Sequence, residues 1–325
     1  MKKNALLVMA ATGDYLFAVA NVLIGLKKHS PKAFDDIVVY TDATASEKDL
    51  KAIKKIFPVI FKQYTYQIPN FEDRERLKYY SNMPYSRFEM LDYLNEYKKV
   101  VWFDSDFLIT GDISGLLEYG KTGFSMAKDP VGVEVRNYFV KDIPGYRMEG
   151  VDAFASGLVI FSDALANPKE KKKYLYNQLE KYSSYIRYAE QGILHLMIED
   201  YQLTVEAFPK NIYHCFPSEN KKDAKIIHLL GNSKPWKIYC GDCYDEWYEN
   251  YEEWLKLGGT DPSHLEELKI NSSQKDIRKL LPTFPNYPRL KASIYFLKSL
   301  LFIWKRKKYK KKLRFYKNVI AIKKK

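Results

Sequence analysis

Short unbroken apolar runs, each bounded by polar or turn-forming residues, recur at Leu6–Ala10, Ile37–Tyr40, Val100–Phe103, Phe124–Ala127, Leu158–Phe161 and Ile226–Leu229. Runs without polar alternation are the pattern of strands covered on both faces. Segments with helical spacing lie between several of them, such as Phe17–Lys28 and Arg87–Tyr97. Strands alternating with helices predict an α/β fold, a mostly parallel central sheet flanked by helices. In such sheets ligands gather at the carboxyl ends of the strands. The lysine-rich Lys169–Lys173, following Asn167-Pro168, reads as the solvated start of a helix. No internal repeat is visible. Beyond Trp254 the pattern changes: Gly258-Gly259-Thr260-Asp261-Pro262 reads as a loop, and Pro282, Pro285 and Pro288 mark a linker. The predicted organisation is a domain over 1–257, a linker over 258–288 and a tail over 289–325.

Composition narrows the class. A chain of 325 residues with 46% hydrophobic and 29% charged residues and a mean hydropathy of -0.41 has enough apolar material for a buried sheet. It has no run near the ~20 apolar residues that a bilayer-spanning helix needs. The apolar stretch near the N-terminus reads as a first buried strand rather than a signal peptide. Cys215, Cys240 and Cys243 are too few for a disulfide framework, which predicts a reducing, cytoplasmic setting. One Cys-x-x-Cys without a second ligand pair reads as a turn rather than a zinc site.

Charge is concentrated at one end. Of 53 Lys and Arg, 15 lie between Arg289 and Lys325 with no acidic residue among them, leaving 38 basic against 40 acidic residues, a net of -2, in 1–288. An apolar stretch, Leu290 to Ile303, precedes Trp304-Lys305-Arg306-Lys307-Lys308 and a basic run interleaved with Tyr309, Phe315 and Tyr316. Aromatics beside lysines suit an anionic bilayer surface, where each basic residue contributes about 1 kcal/mol. Nucleic acid is the rival partner for such charge, and a merely solvated tail is the third reading. The apolar stretch favours the membrane, at its inner face.

Candidate chemistry sits where two apolar runs end. Val100-Val101-Trp102-Phe103 leads into Asp104-Ser105-Asp106, and alternation in an extended segment turns both carboxylates to one side. Two like charges held close call for a cation, and oxygen ligands suit Mg²⁺ or Mn²⁺. Capping or turn aspartates are the structural alternative. Ile226-Ile227-His228 leads into Gly231 and Lys234. His228 could add a nitrogen ligand, favouring Mn²⁺ over Mg²⁺; Gly231 would admit a phosphate close to the backbone, and Lys234 would hold it as a point charge.

These blocks, taken in order, resemble glycosyltransferase family 8. The resemblance runs from about Ala5 to Trp236 and rests on Asp14-Tyr15, Ser86-Arg87-Phe88, Phe103-Asp104-Ser105-Asp106, Ala155-Ser156-Gly157, Ala189-Glu190-Gln191-Gly192-Ile193-Leu194 and the His228 to Trp236 segment. It implies a GT-A fold, a UDP-sugar donor, Mn²⁺ and retention of anomeric configuration. Carried over by position, Asp104, Asp106 and His228 resemble the metal ligands. Tyr15, Arg87, Asp104, Ser105, Gly231 and Lys234 resemble the donor-binding positions, with Tyr15 stacking on the uracil and Arg87 reaching the diphosphate or sugar. Glu190 and Gln191 match the pair near the anomeric face, and Asp129 an acidic residue lining the sugar pocket.

Two positions depart from the pattern. Ala155 stands where the family commonly has an Asn that contacts the donor sugar, and Gly192 replaces an acidic residue of some members. The expected function is transfer of a hexose from a UDP-sugar to a saccharide or lipid-linked glycan acceptor. Two alternatives are a metal-dependent phosphohydrolase using the same carboxylates and a non-catalytic membrane-surface protein on this fold. The first is weakened because such enzymes place their acidic pair on the first strand. The late position of Asp104 and Asp106 does not match.

Overall fold

The computed structural model describes residues 2–68, 81–129, 133–217, 219, 221–230, 234–236 and 245–261, and in the tail Ser293, Phe296, Leu297, Lys298, Leu300 and Leu301. The chain divides into two compact units, Met1–Leu230 with Glu246–Pro262, and Gly231–Asp245 with Ser263–Lys325.

The first unit is built on a seven-stranded sheet of β1 (Lys3–Ala11), β2 (Asp36–Thr41), β3 (Val59–Gln63), β4 (Tyr97–Phe103), β6 (Phe124–Lys128), β7 (Phe154–Ser162) and β8 (Glu206–Ala207), in the order β3-β2-β1-β4-β7-β6-β8. Four neighbouring pairs are parallel, and β7 runs antiparallel to both β4 and β6. Every apolar run lies in a strand, and residues 5–11 of β1 are all buried, as two covered faces require. Because β7 is reversed, its first residues share an edge with the last residues of β1, β4 and β6. Asp104, Asp129 and Tyr15, described below, leave from that edge.

Helices α1 (Leu16–His29), α2 (Glu47–Lys54), α3 (Pro168–Tyr182), α4 (Gln191–Asp200), α5 (Lys210–Tyr213) and α6 (Asp245–Lys256) complete the described elements, together with short 3-10 turns. The α-helix expected over Arg87–Tyr97 is instead a run of 3-10 turns over Met83–Asn95, and Tyr97 opens β4. Pro84 stands at its head, and Arg87, Phe88, Met90 and Leu91 are all buried. The segment is covered on more than one side and winds tightly instead of presenting one apolar stripe. The lysine cluster does start a helix, yet only Lys169 and Lys173 are solvated. Lys171 is buried and donates to the Ala166 carbonyl, and Lys172 pairs with Glu89 and Asp92.

A separate two-stranded ladder pairs β5 (Phe107–Ile109) with β9 (Ile226–His228), antiparallel, with Phe107 opposite His228. Among the described residues no helix is long and apolar enough to cross a membrane. Cys240 and Cys243 lie outside the described residues, and Cys215 is buried, its thiol donating to the Phe216 carbonyl at 3.6 Å.

Candidate active site

At the end of β4 the backbone N–H of Asp104 donates to the Gly157 carbonyl at 2.9 Å, tying the turn to the start of β7. One carboxylate oxygen, Oδ1, accepts from the Trp102 indole at 2.7 Å and from Arg87 at 2.6 Å. The other, Oδ2, lies 3.8 Å from His228 Nε2, and Asp106 Oδ1 lies 3.1 Å from the same nitrogen. The chain turns between Asp104 and Asp106 rather than staying extended, and the two carboxylates converge all the same. The Phe107–His228 register supplies the third group, and Leu229 N–H donates to the Asp106 carbonyl at 2.9 Å.

Asp104, Asp106 and His228 each offer one ligand atom, all within 4.8 Å of one another. The donor set, two carboxylate oxygens and an imidazole nitrogen, suits a divalent first-row cation. His228 Nε2 is buried and makes no hydrogen bond, a costly state for a polar atom unless something else occupies its lone pair. The residues therefore fit a metal. Burial pushes the Asp104 carboxyl up, and the neighbouring Arg87 draws it part of the way back.

Arg87 is buried at 1% exposure and is no surface charge. Its guanidinium lies 4.5 Å from the Trp102 ring and is held between Asp104 and Glu190, with which it forms a second ion pair. Burial lowers its value to about 10, so it stays charged at neutral pH. Glu190, itself buried, thus braces the metal cluster through Arg87.

A second cluster lies where β6 and β7 meet α4. Gln191 Nε2 donates to Tyr138 Oη at 2.8 Å, to the Phe154 carbonyl at 2.9 Å and, more weakly, to Asp129 Oδ2 at 3.3 Å. Tyr138 donates in turn to Asp129. Burial raises the Asp129 carboxyl to about 6, against the pull of Lys210 and His228. The structure thus brings Asp129 and Gln191 into one network, and Glu190 and Arg87 into the other.

Tyr15 closes the 3-10 turn Gly13–Tyr15 just past β1 and stacks on Phe17 at 5.8 Å between ring centroids, leaving the same sheet edge as Asp104. Ser105 sits in the turn between the two aspartates. Gly231 lies outside the described residues. Lys234 is described within the second unit, its ammonium 5.4 Å from the Trp236 ring centroid. Gly192 has a steric reason: a Cβ there would come within 2.6 Å of the Phe139 ring. No side chain fits, acidic or otherwise.

Three supports carry no local sequence signal. His214 Nε2 lies 2.8 Å from His228 Nδ1, fully buried, and orients the ligand ring. Gly157 leaves room for that pair, since a Cβ would lie 2.5 Å from His228 Cε1 and 2.9 Å from His214 Nε2. His195 is buried beside Gln191. The composition offered one hint, because the chain has only five histidines and three of them converge here.

A mostly parallel sheet with an Asp-x-Asp turn closing its central strand and a histidine brought beside it defines a glycosyltransferase of the GT-A class. Residues 6–240 match the family described as Glycosyl transferase family 8, and the chain belongs to that family. No curated protein sequence matches the chain. Among solved structures it is similar to the bifunctional glycosyltransferase WbbM, at 17% identity and a TM-score of 0.56, over 83% of this chain and 52% of that one. The chain thus spans about half of WbbM. The galactosyltransferase LgtC, solved with donor and acceptor sugar analogs, is similar at 16% identity and a TM-score of 0.56, over 80% of this chain and 99% of that one. GlyE of Streptococcus pneumoniae TIGR4 is similar at 16% identity and a TM-score of 0.52, over 84% and 64%. Family membership sets the phosphohydrolase reading aside.

Proposed function

We propose that this protein transfers a hexose from a UDP-hexose to a glycan or lipid-linked glycan acceptor, with retention of configuration and dependence on Mn²⁺. The observation that carries the reading is the convergence of Asp104, Asp106 and His228 around the unpartnered Nε2 of His228. Asp104, Asp106 and His228 would hold the cation. A divalent ion there supplies charge to offset the diphosphate as it leaves.

The protein's own residues supply the rest. Trp102 and Arg87 occupy Asp104 Oδ1 and leave Oδ2 on the side of His228. The buried Arg87 pairs with both Asp104 and Glu190 and so fixes the carboxylate that would hold the cation. Gln191 spends its amide hydrogens on Phe154 and Tyr138, which leaves its carbonyl oxygen to face positive charge developing on the sugar carbon. The acceptor hydroxyl passes its proton to a diphosphate oxygen, so no separate general base is required. Tyr15 stacks on the uracil.

The composition of the tail supports a seat on an anionic membrane, at its cytoplasmic face, as part of this reading. Phe296, Leu297, Leu300 and Leu301 are helical and 50–70% exposed, one stripe across two turns, next to the basic run. A lipid-linked acceptor follows from that location.

Calorimetric titration with UDP, with and without Mn²⁺, tests the donor site. Binding that needs both the metal and Asp106, and is lost in Asp106→Ala, is the expected result. UDP binding equally well without metal, or not at all, overturns it.

A further inference from the structure

His195 lies one turn along α4 from Gln191 and supports the second cluster from behind. It closes a ring of three hydrogen bonds. The Gln191 side chain donates to the Phe154 carbonyl at 2.9 Å, the Phe154 backbone N–H donates to His195 Nε2 at 2.9 Å, and His195 Nδ1 donates to the Gln191 carbonyl at 2.9 Å. Donor and acceptor roles follow from the chemistry of the partners. A backbone N–H can only donate, so Nε2 must be the bare nitrogen; a carbonyl can only accept, so Nδ1 must carry the hydrogen. Burial, which pushes His195 down to about 4, keeps the ring neutral in that tautomer.

The ring matters because Phe154 stands at a weak point of the sheet. The β6/β7 register shifts between Met126 and Ala127, just where Ala127 and Lys128 meet Ala155 and Phe154. The strand end is irregular there, and a side chain completes its pairing. The Phe154 carbonyl is also the acceptor that tells the Gln191 amide which way round to sit. With its nitrogen facing that carbonyl and Tyr138 Oη, both amide hydrogens are used. Gln191 Oε1 accepts no hydrogen bond among the described residues.

We propose that His195 is a positioning residue that clamps the Phe154 peptide and thereby fixes the Gln191 amide with its oxygen facing the donor sugar. The kinetic consequence rests on the glycosyl-transfer reading above; the hydrogen-bond ring does not.

Two conservative variants separate the links. In His195→Gln the side-chain oxygen reaches the position of Nε2 and still accepts from Phe154. In His195→Asn the shorter amide reaches only the Gln191 carbonyl and leaves Phe154 without its acceptor. On the full-length protein, amide hydrogen exchange at Phe154 and the side-chain amide signals of ¹⁵N-labelled Gln191 are recorded, with thermal melting as the control for folding. His195→Asn is expected to lose Phe154 protection and shift the Gln191 amide signals, whereas His195→Gln retains both. With UDP-hexose turnover as the second readout, His195→Asn lowers kcat by about tenfold or more with the donor KM unchanged, as a misplaced group does, and His195→Gln restores most of it. Unchanged protection and amide signals in His195→Asn overturn the proposal. So does an equal loss of kcat in both variants that tracks their melting temperatures, the signature of a merely structural role. If the wild-type protein turns over no UDP-hexose, the transfer reading fails, and the exchange data alone decide the ring.

Discussion

His195 and Asp129 face one another across Tyr138 and Gln191, and burial shifts them in opposite directions. His195 titrates at about 4 in the fold against an ordinary 6.5. Between those values the unfolded chain binds a proton that the folded chain refuses, so stability is lost as pH falls from the higher to the lower value. The loss from pH 7 to pH 5 is about 2 kcal/mol. Asp129, raised to about 6 from 3.8, does the reverse: its folded form binds the extra proton, and the fold gains about 1 kcal/mol over the same interval. The two terms partly offset each other in the wild type. Urea unfolding at both pH values should show His195→Gln less acid-sensitive than wild type by about 2 kcal/mol, and Asp129→Asn more so by about 1 kcal/mol. Identical slopes would mean that burial does not set these values. Gly157 makes a second test. Its missing Cβ is the space in which His228 and His214 meet, so Gly157→Ala must displace the ligand ring. A drop in Mn²⁺ affinity of about tenfold or more, read by electron paramagnetic resonance, is expected; unchanged affinity would show that the ring is free to move.

At the scale of elements, β5 and β9 bring the metal ligands together, and α1 and α6 brace them. Gly25 of α1 packs on Ile109 of β5, Asn21 donates to the Trp247 carbonyl at 2.7 Å, and Asn250 is fully buried against Asn21. Asn21→Ala removes the amide that links the Trp247 carbonyl to the fully buried Asn250 and should cost about 1 kcal/mol in urea unfolding, while UDP affinity stays unchanged if α6 is a brace and no more. The same ladder marks the limit of the sequence. Six strands were legible because both faces are covered. β3 was not, since its residues alternate with solvent; β8 is too short, and β5 follows a turn. Asp104, Asp106 and His228 could each be picked out, but the Phe107–His228 register that joins them is a distant pairing with no local mark. His214 and His195 had no motif around them, and a lone histidine reads first as structural. Arg87 was singled out from the sequence, but its burial was invisible because the run around it winds as 3-10 turns.

At the scale of the whole molecule, the uneven charge makes a prediction that the site does not. Residues 1–288 carry a net of -2 and the remainder is wholly basic, so a uniformly anionic surface would attract the tail and not the catalytic face. The exposed stripe of Phe296, Leu297, Leu300 and Leu301 adds an apolar term that salt does not screen. Binding to phosphatidylglycerol vesicles should therefore weaken with salt without vanishing, whereas binding to a polyanion such as heparin, which offers charge alone, should be abolished. Replacing Leu297 and Leu301 by Asp puts two charges into the apolar stripe and leaves the basic run intact. In co-sedimentation that double variant should lose the salt-resistant fraction of vesicle binding, keep its affinity for heparin, and bind UDP as the wild type does. Equal loss on vesicles and heparin, or none on either, would mean that the stripe does not meet a bilayer, and the membrane placement of the acceptor would fall with it.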